Sequence, residues 1–142
     1  LYFIGCGTNY QVPRQGEEPA GPWLLNIQGK DLGILIGRRG ETLNALQFLA
    51  RLIVSRELQQ RSSFVVDVEG YKMRREDTLK SLAHRMAARA KSQGKTMTLE
   101  PMPPNERRII HLTLRNDKAV KTESVGSGER RKVTIIPNVS QK

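Results

Sequence analysis

The stretch Ile36-Gly37-Arg38-Arg39-Gly40-Glu41-Thr42-Leu43 places two glycines and two arginines in a turn between two apolar segments. Glycines allow a tight turn whose backbone can approach another molecule closely. A helix is predicted to begin directly after the turn, so its free amide groups and positive dipole end face it. The two arginines add charges that pair with phosphates. The pattern predicts a contact for a sugar-phosphate backbone; a helix–helix turn with solubilising arginines is the simpler alternative.

The residues around this turn predict a small α+β domain. Hydrophobic spacing and turn residues indicate strands over 8–12 and 22–28, one or two helical turns over 31–36, a helix over 41–59 and a strand over 64–68. The apolar stripe of the longer helix consists of Leu43, Leu46, Leu49, Ala50 and Ile53. Asn44, Gln47 and Arg51 fall outside this stripe, as expected of an amphipathic helix.

The second half of the chain predicts another α+β unit. A helix is expected over 71–92, with Gly94 placed to end it, and a strand over 96–100. Two strands, 122–125 and 132–136, flank a Gly-Ser-Gly turn and form a hairpin. The segment 105–115 is predicted to be a helix, although the tail from Ile110 to Leu114 alternates as a strand would.

Arg107 and His111 form the second chemical signal. Their spacing of four residues puts them on one face of a helix, and an even spacing also puts them on one face of a strand. An arginine fork beside an imidazole offers hydrogen-bond donors to a phosphate or a base edge, and both planar groups stack on bases. The plainer alternative is that His111, between two apolar residues, serves only to cap or pack.

The charge of the chain is strongly asymmetric. Residues 1–69 carry 7 basic and 7 acidic side chains, whereas residues 70–142 carry 17 and 7, which accounts for the whole net charge of +10. The predicted second helix contributes a basic face of Lys72, Arg74, Arg75, Lys80, Arg85, Arg89, Lys91 and Lys95. Such an excess points to a polyanionic partner, with nucleic acid ahead of an anionic membrane surface.

Several classes of protein are excluded by composition. The single cysteine, Cys6, rules out an internal disulfide and a cysteine-based zinc site. Apolar runs fall far short of the roughly 20 residues of a transmembrane helix. The opening Leu-Tyr-Phe-Ile-Gly lacks a methionine and is similar to the remnant of a protease-cleavable tag. The histidines fall on different elements, so no catalytic constellation emerges, and a nuclease using Arg107 and His111 is the least favoured alternative.

Several blocks in series carry a family resemblance. Residues 36–47, 67–71, 99–102, 106–111 and 122–124 resemble, in this order, the bacterial Jag family, known as SpoIIIJ-associated proteins and KH-domain protein B. The resemblance implies a type II KH-like domain over residues 1–69 and, over residues 70–142, a small Arg-x-x-x-His domain with a sheet and two helices on one side. The first helix expected of a type II KH fold has little sequence left before residue 8 to form it.

The resemblance also implies a function. It implies a cytoplasmic protein that binds single-stranded RNA, or single-stranded DNA, rather than a small-molecule substrate. No enzymatic activity, cofactor or metal is expected. Members regulate gene expression after transcription, and are linked to cell elongation, division and envelope homeostasis. The implied protein partners are a second small KH protein and, through a further N-terminal region, a membrane-protein insertase. The residues predicted to bind nucleic acid are Gly37, Arg38, Arg39, Gly40, Arg74, Arg75, Arg107 and His111. A basic membrane-surface adaptor is the main alternative.

Overall fold

A computed structural model describes residues 23–61 and 63–138 of the chain. The helices and strands are β1 (Trp23–Ile27), α1 (Gly33–Ile36), α2 (Glu41–Leu58), β2 (Phe64–Val68), α3 (Tyr71–Gln93), β3 (Met97–Thr98), α4 (Pro104–Leu114), β4 (Val120–Val125) and β5 (Lys132–Pro137). The chain divides into two compact units between Arg74 and Arg75, and the predicted domain boundary after residue 69 stays a prediction. The predicted strand over 8–12 and the tag-like opening residues lie outside the described residues.

The first unit contains a parallel pair of strands joined by helices. β1 and β2 pair in parallel over their whole length, from Trp23 opposite Phe64 to Ile27 opposite Val68. Parallel neighbours require a crossover connection, which α1 and α2 supply. The buried core consists of Leu43 from α2 with Val66 and Val68 from β2. The predicted order of strand, short helix, turn, helix and strand is confirmed for the described residues.

The predicted apolar stripe of α2 is partly wrong. Leu43 is buried, but Leu49 and Ile53 are 54% and 62% exposed, whereas Gln47 is only 9% exposed. The Gln47 amide nitrogen donates to the Phe64 carbonyl at 3.1 Å, and its amide oxygen accepts the Val66 N–H at 2.7 Å. Periodicity alone could not reveal this arrangement, because it depends on a strand that follows in the chain.

Side chains of the first unit bond several backbone groups at the outer edge of β2. The Glu69 N–H bonds the Ile27 carbonyl of β1, so the backbone groups of residues 64, 66 and 68 point away from β1. Gln47 bonds the first two of these, and the carboxylate of Asp67 accepts the Val68 N–H at 2.8 Å. Three groups that could otherwise bind another strand, the Phe64 carbonyl and the N–H groups of Val66 and Val68, are thereby paired within the unit.

The second unit is an antiparallel sheet with helices on one face. The strand order is β3-β5-β4, and β4 and β5 form the predicted hairpin. Val133 and Ile135 of β5 lie in one buried cluster with Ala83 of α3 and with Ile110 and Leu114 of α4. The sheet with two helices on one side is therefore confirmed. The alternating tail of residues 110–114 is helical, because the residues four apart, not two apart, enter the core.

Candidate nucleic-acid interface

The Gly-Arg-Arg-Gly turn adopts a conformation that depends on both glycines. Gly37 and Gly40 have positive φ angles of 70° and 81°, in the region that disfavours other residues. A Cβ on Gly37 would lie 2.1 Å from the Thr42 hydroxyl, and a Cβ on Gly40 would lie 2.8 Å from the ring of Tyr71. The two glycines therefore let the turn pack tightly onto the start of α2 and onto Tyr71.

The two arginines of this turn lie at its surface. Arg38 and Arg39 are exposed, and Arg39 has a positive φ of 54°, which orients the backbone between the glycines. Gly40 forms the N-cap of α2 without a side-chain cap, so the first amide groups of the helix are not bonded by a capping side chain. Glu41 adds one acidic group in the first turn. The turn presents a bent backbone and two cations next to a helix N-terminus.

The start of α3 adds a partly buried cation to the first unit. The Lys72 ammonium group donates to the Gln47 amide oxygen at 3.3 Å. Burial lowers the pKa of Lys72; the nearby Asp67 carboxylate opposes this effect, and Arg51 adds to it. Lys72 therefore helps to hold the Gln47 amide at the strand edge.

Arg107 and His111 of α4 are brought together by strand β4. The Arg107 guanidinium donates to the Ser124 hydroxyl at 3.2 Å and to the Met102 carbonyl at 3.3 Å. The His111 ring bonds Thr122 through Nδ1 at 2.7 Å and Ser124 through Nε2 at 2.9 Å. Ser124 thus joins the two predicted site residues. We term the four side chains of Arg107, His111, Thr122 and Ser124 the Arg–His strip.

The Arg–His strip favours a neutral imidazole. A neutral ring has one donor and one acceptor nitrogen, and a hydroxyl can complement either one. Burial lowers the pKa of His111, and the neighbouring Arg107 cation lowers it further. The Ser124 hydroxyl already accepts from Arg107, so a protonated ring would direct a second cationic donor at the same oxygen. Both ring nitrogens of His111 are hydrogen-bonded within the chain, so His111 does more than pack against apolar neighbours, and its predicted binding of nucleic acid stays a prediction.

The structure gives Arg74 and Arg75 contacts within the chain. Arg75 makes a two-point ion pair with Glu106 of α4, at 2.8 and 3.0 Å, and Glu106 is buried. Arg74 donates to the carbonyl of Glu69. These contacts fix where the two side chains lie, and their predicted binding of nucleic acid stays a prediction.

Acidic side chains neutralise more of the basic face of α3 than the charges along that helix alone indicate. Lys80 pairs with Glu76 on the same helix, and Lys91 pairs with Asp117, which follows α4. Asp117 and Glu106 are distant in sequence, so counting charges along the helix missed them. Arg85, Arg89 and Lys95 are exposed on this helix and its C-terminal end.

Sequence reasoning missed the roles of several polar residues. The sequence pattern indicates no role for Ser124, Thr122 or Glu106, and it places Gln47 outside the apolar stripe of α2. Only the even spacing of Thr122 and Ser124 gave a signal, since alternate residues of a strand share a face. Their pairing with His111 required the fold.

Within residues 23–61 and 63–138, none of the helices has the length and apolar character needed to cross a membrane. Across the same ranges, no three His, Cys, Asp or Glu side chains are grouped so as to hold a metal ion.

Comparison with known proteins matches both units. Residues 77–137 match the domain family named for its Arg-x-x-x-His motif, and residues 11–68 match the KH domain of KhpA and KhpB. An RNA-binding protein KhpB from Clostridium symbiosum is 45% identical over 111 residues, which are 78% of this chain and 50% of the relative. The Bacillus subtilis (strain 168) protein of the same name is 42% identical over 112 residues, 78% of this chain and 54% of the relative. This chain therefore spans about half the length of these relatives, and it belongs to the KhpB, or Jag, family of proteins with a KH domain and an Arg-x-x-x-His domain.

Proposed function

We propose that this chain is a non-catalytic protein that binds single-stranded RNA through two separate contacts. The observation that carries the proposal is the Arg–His strip: a cation and an imidazole, held by two hydroxyls at a sheet edge. These groups suit a phosphate, a base edge or a stacked base. The relatives named RNA-binding protein KhpB support RNA as the ligand.

The Gly-Arg-Arg-Gly turn forms the other contact. In KH domains the corresponding loop clamps the backbone of about four nucleotides. Here Gly37 and Gly40 bend the backbone, and exposed Arg38 and Arg39 supply charges for phosphates. Arg74 and Arg75 remain proposed contacts. Both contacts act on unpaired strands, so single-stranded RNA should bind more tightly than a duplex of equal length.

The wider role proposed for the chain follows from its family. It acts in the cytoplasm as a post-transcriptional regulator linked to cell elongation, division and envelope homeostasis. A second small KH protein is the proposed protein partner. A link to a membrane-protein insertase would involve the part of the family's proteins that this chain does not span.

A charge-matched comparison tests the turn. Arg38→Asp with Arg39→Asp should weaken binding of a short single-stranded RNA, measured by fluorescence anisotropy, while the fold persists. The control reverses Arg56 and Arg61, two exposed arginines at and beyond the C-terminal end of α2. That helix is about 27 Å long, so the control lies far from the turn. Equal losses in the two double variants would show that only net charge matters.

The same RNA samples separate a binding protein from a nuclease. Labelled RNA is incubated with the wild-type chain, with and without added divalent cation, and then resolved by length. Intact RNA under conditions where anisotropy shows saturation is the expected result. Cleavage that disappears in Arg107→Ala or His111→Ala would overturn the non-catalytic assignment.

A further inference from the structure

On one side of β4, the backbone groups of Thr122 and Ser124 have no partner among the described residues. β4 pairs with β5 on its other side, at the end of the three-stranded sheet. The Asn138 N–H donates to the Ala119 carbonyl at 2.9 Å, which marks these opposed residues as a hydrogen-bonded pair. Bonded and non-bonded pairs alternate along an antiparallel ladder. Counting from Ala119, Lys121 and Glu123 belong to bonded pairs, whereas Thr122 and Ser124 belong to non-bonded pairs. Thr122 and Ser124 therefore direct their N–H and C=O groups away from β5.

A side-chain contact supports this assignment of direction. The Thr134 hydroxyl of β5 donates to the Glu123 carbonyl at 3.2 Å, so that carbonyl points toward β5. Glu123 lies between Thr122 and Ser124, and neighbouring residues of a strand direct their backbone groups to opposite sides. Two independent observations therefore show that the backbone groups of residues 122 and 124 point away from β5.

The two residues with outward-facing backbone groups, Thr122 and Ser124, also contribute their side chains to the Arg–His strip. Thr122 and Ser124 lie opposite Ile135 and Val133, whose side chains are buried under the helices. Directly opposed side chains share a face of the sheet, so both hydroxyls face α4, where they bond His111. The backbone edge and the strip therefore belong to one continuous surface at the border of the sheet.

We propose that this outer edge of β4 reads the bases of single-stranded RNA. The proposal rests on the proposed function, and it adds a base-reading surface to the contact at Arg107. Each outward residue offers one donor and one acceptor, and the two residues are about 6.8 Å apart along the strand. Unpaired bases carry donors and acceptors on their Watson–Crick edges. Phosphates bound by Arg107 would place bases beside this edge.

The charges favour RNA over a peptide strand as the occupant. Residues 70–142 carry all of the net charge of +10, and the Arg107 cation bonds Ser124 of the edge strand itself. β4 also carries charged Lys121 and Glu123, which pair with each other at 2.6 Å. Charged side chains on an edge strand discourage addition of another strand. At the outer edge of β2, by contrast, the N–H groups of Val66 and Val68 already donate to Gln47 and Asp67.

Amide hydrogen exchange of the full chain tests the proposal. Exchange at Thr122 and Ser124 is measured by NMR, with and without saturating short single-stranded RNA. Occupation of the edge should slow both amides by about tenfold or more, because a bonded amide exchanges only on opening. The amides of Lys121 and Glu123 already bond β5 and serve as internal controls, expected to change far less.

A pair of variants tests base reading itself. Ser124→Ala removes the hydroxyl, whereas Ser124→Pro removes the hydroxyl and the outward N–H, which an edge strand tolerates. The ratio of affinities for different homopolymeric RNAs should change by roughly 3- to 10-fold between these two variants. If Ser124→Pro fails to fold, the wild-type exchange measurement decides.

Each outcome bears on the proposal. Slowed exchange at both amides with RNA supports it. Unchanged exchange with RNA bound overturns it, and if Arg107→Ala still weakens binding, the proposed function survives this failure. The proposal is also overturned if exchange at these two amides is slowed by self-association or by an added peptide strand and is not slowed by RNA. Absence of RNA binding overturns both proposals together.

Discussion

The ion pair between Arg75 and Glu106 makes a quantitative prediction about the second unit. The Arg75 side chain is 22% exposed and that of Glu106 only 7%. Arg75→Ala leaves a carboxylate buried without its partner, which costs about 3–5 kcal/mol in a fully buried pair. Because Arg75 is partly hydrated, we expect about 2–4 kcal/mol. Glu106→Ala leaves a partly hydrated guanidinium and should cost less, about 1–2 kcal/mol.

Native-state hydrogen exchange of the Ile110 amide measures this effect within the second unit alone, because Ile110 lies in its core. For a domain of roughly 70 residues, 1 kcal/mol corresponds to a change in Tm of about 4–8 °C. Replacing Arg75 with Met and Glu106 with Leu together should restore stability to within about 1 kcal/mol of the parent. Glu76→Ala, which breaks an exposed pair with Lys80, is the control and should leave exchange unchanged.

Two results would refute the reasoning about this pair. One is an equal cost for Arg75→Ala and Glu106→Ala, since burial of the two partners differs. The other is a double variant as unstable as Arg75→Ala. RNA binding by Arg75→Ala at a temperature where the chain stays folded also tests the predicted contact. Unchanged affinity there would assign Arg75 to stability alone.

Three further predictions follow from local geometry. Gly37→Ala should unfold the first unit, because the new Cβ would lie 2.1 Å from the Thr42 hydroxyl. Gly33→Ala has open space around its Cβ and should raise the free energy of unfolding by about 0.4–1 kcal/mol, measured by thermal unfolding. Gln47→Ala should cost about 1–3 kcal/mol in chemical unfolding because it leaves the Val66 N–H of β2 without its partner. The Phe64 carbonyl keeps the Arg51 guanidinium as a donor, and exposed Asn44→Ala is a near-neutral control. Burial lowers the pKa of His111, so the unfolded chain binds its proton at higher pH. Stability should therefore fall as pH drops below about 6.5 and level off below the lowered folded pKa, and His111→Gln should lose this dependence.

Local chemistry in the sequence predicted much of the architecture. The glycine turn, the amphipathic helices and the Gly-Ser-Gly hairpin each rest on residues close in the chain. The pairing of Arg107 with His111 was predicted because a spacing of four serves a helix and a strand alike. Residues 110–114 form a helix and not a strand, because Ile110 and Leu114, four residues apart, are both buried in the core.

Contacts between distant residues could not be predicted in this way. Glu106 lies 31 residues from Arg75, and Gln47 lies 19 residues from Val66. Both polar side chains are buried because a partner arrives from another element, and a hydropathy pattern treats them as solvent-facing. The strand over 122–125 was predicted, but for the same reason the hydrogen bonds of Thr122 and Ser124 to His111 became evident only in the fold.

A salt titration of RNA binding by the full chain tests the central claim most directly. For single strands the slope of log affinity against log salt is about −0.7 per neutralised phosphate, so four to six contacts give roughly −3 to −4. Arg107→Ala should flatten the slope by about 0.7 and weaken binding across sequences, since a phosphate contact carries little base information. Exposed Arg115→Ala at the end of α4 is the matched control. A wild-type slope near zero, or an Arg107→Ala slope and affinity equal to those of the parent, would contradict RNA binding at the Arg–His strip.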